Sequence, residues 1–180
     1  MPQTGRNIGD RYELSSQLGE GGMGAVFRAR DRQSGATVAL KLLQPGIADD
    51  PVQVDRFRRE FAVLKEMQHP GLVRLLDGSF TGEEPYLVFE LVEGQSLEEA
   101  MGGQRMALHQ AIVYTEQLAV AVGALHAHKI IHRDLKPSNV MVRPGGEICL
   151  LDFGIAKHFG DAERTIDRVT REGYVVGTPQ

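Results

Sequence analysis

One carboxylate, two cations and an amide oxygen fall within eight residues, His132-Arg133-Asp134-Leu135-Lys136-Pro137-Ser138-Asn139, and Pro137 keeps them from continuing as a helix. A loop that holds Asp134 and, five residues later, the oxygen of Asn139 suits a site that accepts a proton and binds a hard cation. Thirteen residues beyond Asn139, Asp152-Phe153-Gly154 puts a second carboxylate on a turn after the apolar run Ile148 to Leu151. Two oxygen ligands on neighbouring loops are what Mg²⁺ accepts while it keeps several waters and binds substrate phosphates. Either stretch alone could be an ordinary polar loop; their order and spacing argue for a shared site.

Such a site needs something to hold the phosphates. Gly19, Gly21 and Gly24 spell GxGxxG, a weak motif whose meaning depends on the residues after it. A dinucleotide-binding version would open a helix, but Val26-Phe27-Arg28-Ala29-Arg30 alternates like a strand. A Walker-type loop would need Lys directly after the last glycine, and position 25 is Ala. The remaining option is a glycine hairpin lying over the phosphates, its N–H groups open because no side chain intervenes. Lys41 then interrupts the apolar strand Thr37 to Leu43, and a lysine there is costly unless its ammonium is paired.

The elements that position these residues can be read in order. Residues 1–11 look like a loose tail. Strands are expected at Tyr12–Leu18, Ala25–Arg30, Thr37–Leu43, Leu72–Leu76 and Tyr86–Val92. Between the third and fourth, Asp50-Pro51 reads as an N-cap and first helical residue. The helix runs to about Met67, with Val54, Phe57, Phe61 and Leu64 on one face and Glu60 sharing that side. Ser96-Leu97-Glu98-Glu99 opens a short helix that Gly102-Gly103 closes. A long helix comes next over Leu108–Ala127, with Leu108, Ala111, Ile112, Leu118, Ala119, Val122 and Leu125 as its main stripe and further apolar residues on other sides. Two short strands then flank Pro144-Gly145-Gly146.

Taken together, the His132–Asn139 loop and Asp152-Phe153-Gly154 resemble the catalytic and metal-binding loops of protein kinases. Glu20 to Gly24 and Ile155-Ala156-Lys157 look most like bacterial relatives of the eukaryotic-type (Hanks-type) serine/threonine kinases. The resemblance implies an α+β, bilobal fold: a tail over 1–11, a small lobe over 12–93 with five antiparallel strands and one helix, and the first part of a mainly helical lobe over 94–180. It implies ATP and Mg²⁺ as cofactors and Ser/Thr hydroxyls of proteins as substrates. In that scheme Asp134 accepts the hydroxyl proton, Lys136 neutralises the moving phosphoryl group, and Asn139 and Asp152 hold Mg²⁺. Lys41 holds the α- and β-phosphates and pairs with a helix glutamate, for which Glu60 fits better than Glu66. Leu18, Gly19, Gly21 and Gly24 lie about the nucleotide, Val26, Ala39 and Met141 sandwich the adenine, Phe89 stands behind it, and Glu90 begins the hinge. Arg133, expected to be buried, needs an anion, which phosphorylation of Thr170, with Thr165 as the alternative, would supply; Thr178 would contact the catalytic aspartate. A kinase dimer could carry out that autophosphorylation.

Composition bounds the reading. With 42 % hydrophobic and 24 % charged residues in 180, the chain is globular and not disordered. Twenty basic against twenty-four acidic residues make a nucleic-acid partner unexpected. The lone Cys149 lies in an apolar strand, so disulfides are excluded and a reducing, cytoplasmic setting is natural. No membrane-spanning segment is expected. A small-molecule phosphotransferase shares the two carboxylate loops, but Arg133, Lys136, Phe153 and Gly177-Thr178-Pro179 argue against it. The family's helices beyond the activation segment would come after Gln180. The 180 residues alone are therefore expected to transfer little phosphate and to melt poorly, and a non-catalytic nucleotide-binding or interaction fragment is the competing reading.

Overall fold

The computed structural model describes residues 5–21, 24–43, 51–80 and 84–151, without the side chains of residues 51–53, 56 and 57. Six antiparallel strands form its first sheet: β1 (Asn7–Ile8), β2 (Tyr12–Gly21), β3 (Gly24–Asp31), β4 (Thr37–Leu43), β5 (Leu75–Ser79) and β6 (Tyr86–Glu90), in the order β1-β2-β3-β4-β6-β5. Helix α1 (Pro51–Glu66) connects β4 to β5.

Alternation divides the sheet into two faces. On the outer face Tyr12, Leu14, Phe27, Ala29, Val38, Leu40 and Val88 close over Ile8 as one buried cluster. Leu43, Leu75, Leu87 and Phe89 belong to a second cluster, continuous with Leu64 of α1. That cluster runs on into the second part of the chain through Leu72, Val73, Ala121, Leu125, Ile148 and Leu150.

The second part holds α2 (Leu97–Met101), α3 (Leu108–Ala127) and a small sheet of β7 (Gln95–Ser96), β8 (Val140–Val142) and β9 (Ile148–Leu150). Ser96 caps α2 in a full capping box with Glu99, and Gly102 ends it in the left-handed conformation at φ 53°. The two halves are stitched by backbone: Val73 N–H donates to the Leu150 carbonyl (3.0 Å) and Leu150 N–H to the Gly71 carbonyl (2.8 Å). Gly71 permits this approach, since a Cβ there would lie 3.1 Å from the Cβ of Ala121 on α3.

Four sequence expectations are corrected. Residues 5–10 are not a loose tail: Asn7 and Ile8 pair with Glu13 and Tyr12, and Gly5 N–H donates to the Leu14 carbonyl at 2.7 Å, so the sheet has six strands, not five. Gly9 and Asp10, both at positive φ, make the turn that allows it. The strand expected at Leu72 begins at Leu75, because the backbone of Leu72 and Val73 pairs with β9 instead. The glycine hairpin is tighter than expected, with Gly21 paired to Gly24 and the strands running through the glycines. Finally, α3 buries only part of the expected stripe, Leu118, Val122 and Leu125. Tyr114, Leu118, Ala121 and Leu125 pack on the core, while Leu108 (77 % exposed) and Ile112 (50 %) face outward and Ala119 is exposed. A helix apolar on several sides gives periodicity little power to choose among them.

Candidate active site

The sheet brings the small-lobe residues together by register. Val26 lies opposite Lys41, Lys41 opposite Leu87, and Ala39 opposite Phe89, so these five share one face. Lys41 is only 5 % exposed on that face and Phe89 only 7 %. Ala39, Phe89 and Met141 of β8 join the same apolar cluster, which carries the face across to the second half of the chain. Leu18 sits where the β2–β3 register shifts between Gln17 and Gly19, and it is 46 % exposed. A bulge there re-aims the side chain out of the strict alternation. Glu60 on α1 is half-buried, whereas Glu66 is exposed.

The glycine positions differ in what they require. Gly24 has φ 132°, and a Cβ there would fall 1.8 Å from the Leu42 carbonyl oxygen. Gly19 meets nothing within 4 Å, leaving open space along its strand. The hairpin is thus held close to β4 at one glycine and clear of side chains at another, a cradle that fits a phosphate approached by backbone N–H groups.

In the loop, side chains grip backbone. His132 is 3 % exposed; its Nδ1 accepts from Asp134 N–H at 3.3 Å, which leaves Nε2–H to donate to the Leu151 carbonyl at 2.7 Å. Leu151 N–H in turn donates to the Asn139 carbonyl at 2.8 Å. Pro137–Asn139 form a single 3₁₀ turn, which brings Asn139 back over Asp134. Its Nδ2 donates to the Asp134 carbonyl (2.7 Å) and to Oδ2 (3.1 Å). With both amide protons committed, Oδ1 is the atom left to act as a ligand. Lys136 Nζ lies 3.1 Å from the same Asp134 Oδ2, so one carboxylate receives a cation and an amide. Arg133, expected to be buried, is exposed and takes a left-handed φ of 62°. These contacts leave an oxygen donor and a lysine beside a carboxylate, a donor set that fits Mg²⁺ and a phosphate.

Two contacts in this half have no sequence signal, since neither arises from a period. Gln117 Oε1 on α3 accepts from Ile148 N–H at 2.9 Å, which steadies the strand leading to Leu151. Arg143 reaches Glu90 at 3.4 Å, tying the β8–β9 turn to the hinge. Cys149 is fully buried and its thiol is pushed up by burial, partly offset by Arg143. A thiol so held is mostly protonated and inert, as expected of a core residue. Asp152, Thr165, Thr170 and Thr178 lie outside the described residues. Among the described residues no group of three or more His, Cys, Asp or Glu side chains could hold a metal, and no helix is long and apolar enough to cross a membrane.

A curled antiparallel sheet with a glycine hairpin, joined through a hinge to a loop of the His-Arg-Asp type, defines a bilobal protein-kinase-like domain. The chain matches the protein kinase domain family over residues 12–177, and it belongs to that family. A probable serine/threonine-protein kinase of Streptomyces coelicolor is 38 % identical over 97 % of this chain and 26 % of its own length. The serine/threonine-protein kinase PknA of Mycobacterium tuberculosis is 36 % identical over 99 % of this chain and 42 % of its own length. The chain thus spans less than half the length of either relative. A crystal structure of the Mycobacterium tuberculosis PknI kinase domain superposes with a TM-score of 0.75 at 26 % identity, covering 84 % of this chain and 62 % of that one.

Proposed function

We propose that the chain provides the ATP-binding and catalytic residues of a serine/threonine protein kinase, with ATP as phosphoryl donor and Mg²⁺ as metal. The observation that carries this is the Asp134 carboxylate, set between Lys136 (3.1 Å) and Asn139 (3.1 Å) on a loop anchored through His132. The substrate hydroxyl oxygen attacks the γ-phosphorus and its proton passes to Asp134. A new P–O bond forms, the bond to the β-phosphate oxygen breaks, and ADP leaves. Lys136 stands where it offsets charge on the phosphoryl group as it moves. Lys41, paired with Glu60, holds the α- and β-phosphates, and the glycine hairpin covers them. Leu18, Val26, Ala39 and Met141 enclose the adenine, with Phe89 behind it and the Glu90 backbone at its edge. Bound Mg²⁺ would be held by Asn139 and Asp152 and would neutralise phosphate charge.

The natural substrates are proteins bearing Ser or Thr, and the chain acts in the reducing cytoplasm, a reading supported by its single buried thiol. Autophosphorylation at Thr170, or at Thr165, within a transient dimer would place an anion beside the exposed Arg133, and Thr178 would contact Asp134. The full-length protein incubated with γ-labelled ATP, Mg²⁺ and a generic Ser/Thr-rich protein should yield phosphoserine or phosphothreonine on hydrolysis. Labelling of an aminoglycoside but of no protein would instead mark a small-molecule phosphotransferase. Nucleotide binding without any transfer would mark an interaction module.

A further inference from the structure

Strand β9 lies at the rim of the small sheet, yet its outer edge is not free. In an antiparallel ladder alternate residues turn their N–H and carbonyl away from the partner strand. The bonds to β8 fall at Arg143–Glu147 and Asn139–Leu151, so Ile148 and Leu150 are the residues that point outward. At Leu150 the backbone answers: its N–H donates to the Gly71 carbonyl at 2.8 Å and its carbonyl accepts from Val73 N–H at 3.0 Å. That pairing is a single bridge between Leu72 and Leu150 and goes no further. Two residues earlier a side chain takes over, and the Ile148 N–H donates to Gln117 Oε1 on α3 at 2.9 Å. Ile148 is buried, and a buried N–H without an acceptor is costly.

Gln117 stands outside the residues assigned to the nucleotide and the hydroxyl, but β9 connects it to them. Ile148, Cys149 and Leu150 are all buried, and a close-packed interior passes a shift along instead of absorbing it. The strand delivers Leu151, whose peptide groups carry both supports of the loop. Its carbonyl accepts from His132 Nε2 at 2.7 Å, and its N–H donates to the Asn139 carbonyl at 2.8 Å. His132 and Asn139 are in turn the residues that hold Asp134, through its N–H, its carbonyl and Oδ2.

We infer that Gln117 is a positioning residue for phosphoryl transfer: by holding the Ile148 N–H it sets where β9 delivers Leu151, and so where His132 and Asn139 hold Asp134. The inference rests on the phosphoryl-transfer reading and adds to it a residue on α3. Oε1 is the atom that matters. Among the described residues the Gln117 Nε2 makes no hydrogen bond, so a carboxylate oxygen in the same place can take over the role.

The test compares Gln117→Met, which keeps the length and loses the acceptor, with Gln117→Glu, which keeps the acceptor. Full-length protein transfers phosphate from ATP to a generic Ser/Thr-rich protein, and the rate is scaled to the molecules that bind a non-hydrolysable ATP analogue. Gln117→Met should lower kcat about ten-fold while KM for ATP stays within about two-fold of wild type. Gln117→Glu should restore kcat to within about three-fold of wild type. Amide hydrogen exchange at Leu151 should quicken in Gln117→Met and slow again in Gln117→Glu. Gln117→Asn draws the oxygen back by one methylene, so it should show the same pattern in smaller degree, and it decides the matter if Gln117→Met folds poorly. A glutamine with a structural role alone would lower the melting temperature and leave kcat per binding-competent molecule unchanged. That result overturns the inference, as does a Gln117→Glu variant as slow as Gln117→Met, or a fall in kcat with exchange at Leu151 unaltered. Absence of transfer by the wild type would overturn the phosphoryl-transfer reading, and this inference with it; wild-type transfer that Gln117→Met leaves intact overturns this inference alone.

Discussion

The two halves of the candidate site are held in place by different physics. In the sheet, Lys41 owes its position to register: Val26 and Leu87 flank it across the ladder, and slipping one residue would send it into the outer core with Leu40. Many backbone bonds share that task. In the loop, Asp134 owes its position to a few individual partners, namely His132, Lys136 and Asn139. The sheet should therefore suffer from backbone misfits, while the loop should lose function with one atom.

The largest effect expected is at the loop. Asp134→Asn keeps the shape and removes the base, so phosphate transfer should fall by roughly 10²–10⁴-fold. Nucleotide affinity should hold within about two-fold, because the role proposed for Asp134 is toward the hydroxyl and a lost contact to bound nucleotide would itself cost more than that. Titration calorimetry beside a transfer assay checks both, and retained turnover would remove Asp134 from its role.

Lys41→Met is the matching test in the sheet. Losing charge-assisted contacts to phosphate should lower kcat/KM by roughly 10–100-fold. The replacement leaves the half-buried Glu60 without its assigned cation, so the melting temperature should also fall. An unchanged melting temperature would mean that the lysine serves the ligand and not the fold. Glu60→Gln should repeat the activity loss and Glu66→Gln should not; equal effects would undo the pairing assigned to Glu60.

Third comes the backbone. Gly24→Ala forces a side chain into a left-handed position 1.8 Å from the Leu42 carbonyl oxygen, which requires the hairpin to shift. A cost of about 1–3 kcal/mol is expected, a drop of several degrees in melting temperature. Gly19→Ala meets open space and should leave the fold unchanged. Similar melting temperatures for the two variants would show that β4 does not press on the hairpin.

The same contrast explains how much is legible in the residues alone. Lys41 stands out because a cation breaks an apolar period, and α3 is bounded correctly at Leu108–Ala127 because twenty residues carry a long signal. Asp134 and Asn139 are visible through their spacing, but the bonds between them are not, since no periodicity encodes a side chain returning to a carbonyl. β1 escapes notice because Ile8 is one apolar residue in a polar stretch, and its strand exists only through pairing with β2. Periodicity picks only part of the packed face of α3, Leu118, Val122 and Leu125, because tertiary contacts, through Gly71 against Ala121, choose among several apolar sides. Arg133 looks buried from its place beside Asp134, yet its left-handed φ carries it outward.

The smallest effect lies on the outer edge of the sheet, away from both halves of the site. Arg11 donates to Asp31 through Nε and NH2, each at 2.8 Å, while Ser34 Oγ (2.6 Å) and Gln33 N–H (3.0 Å) complete the carboxylate. Arg11 also reaches Asp77 at 3.0 Å, and Tyr12 donates to that same oxygen at 2.8 Å, so the β1–β2 turn, β2, the end of β3 and β5 meet here. The Asp31 carboxyl is held well below the usual carboxylate range, chiefly by the Arg11 hydrogen bond. A depressed value means that the unfolded chain takes up a proton more readily than the folded one. The stabilisation is therefore complete above the ordinary aspartate value near pH 4 and is lost as pH falls below it. Asp31→Asn should lower stability at pH 7 by about 1 kcal/mol, since Arg11 is partly exposed and water screens the pair. The gap in melting temperature between wild type and variant should then narrow steadily below about pH 4, whereas transfer per folded molecule at pH 7 stays the same. A gap that stays constant down to pH 2 would show that packing and neutral hydrogen bonds, not the charge, hold this edge, and would extend the register-based description of the sheet to its rim.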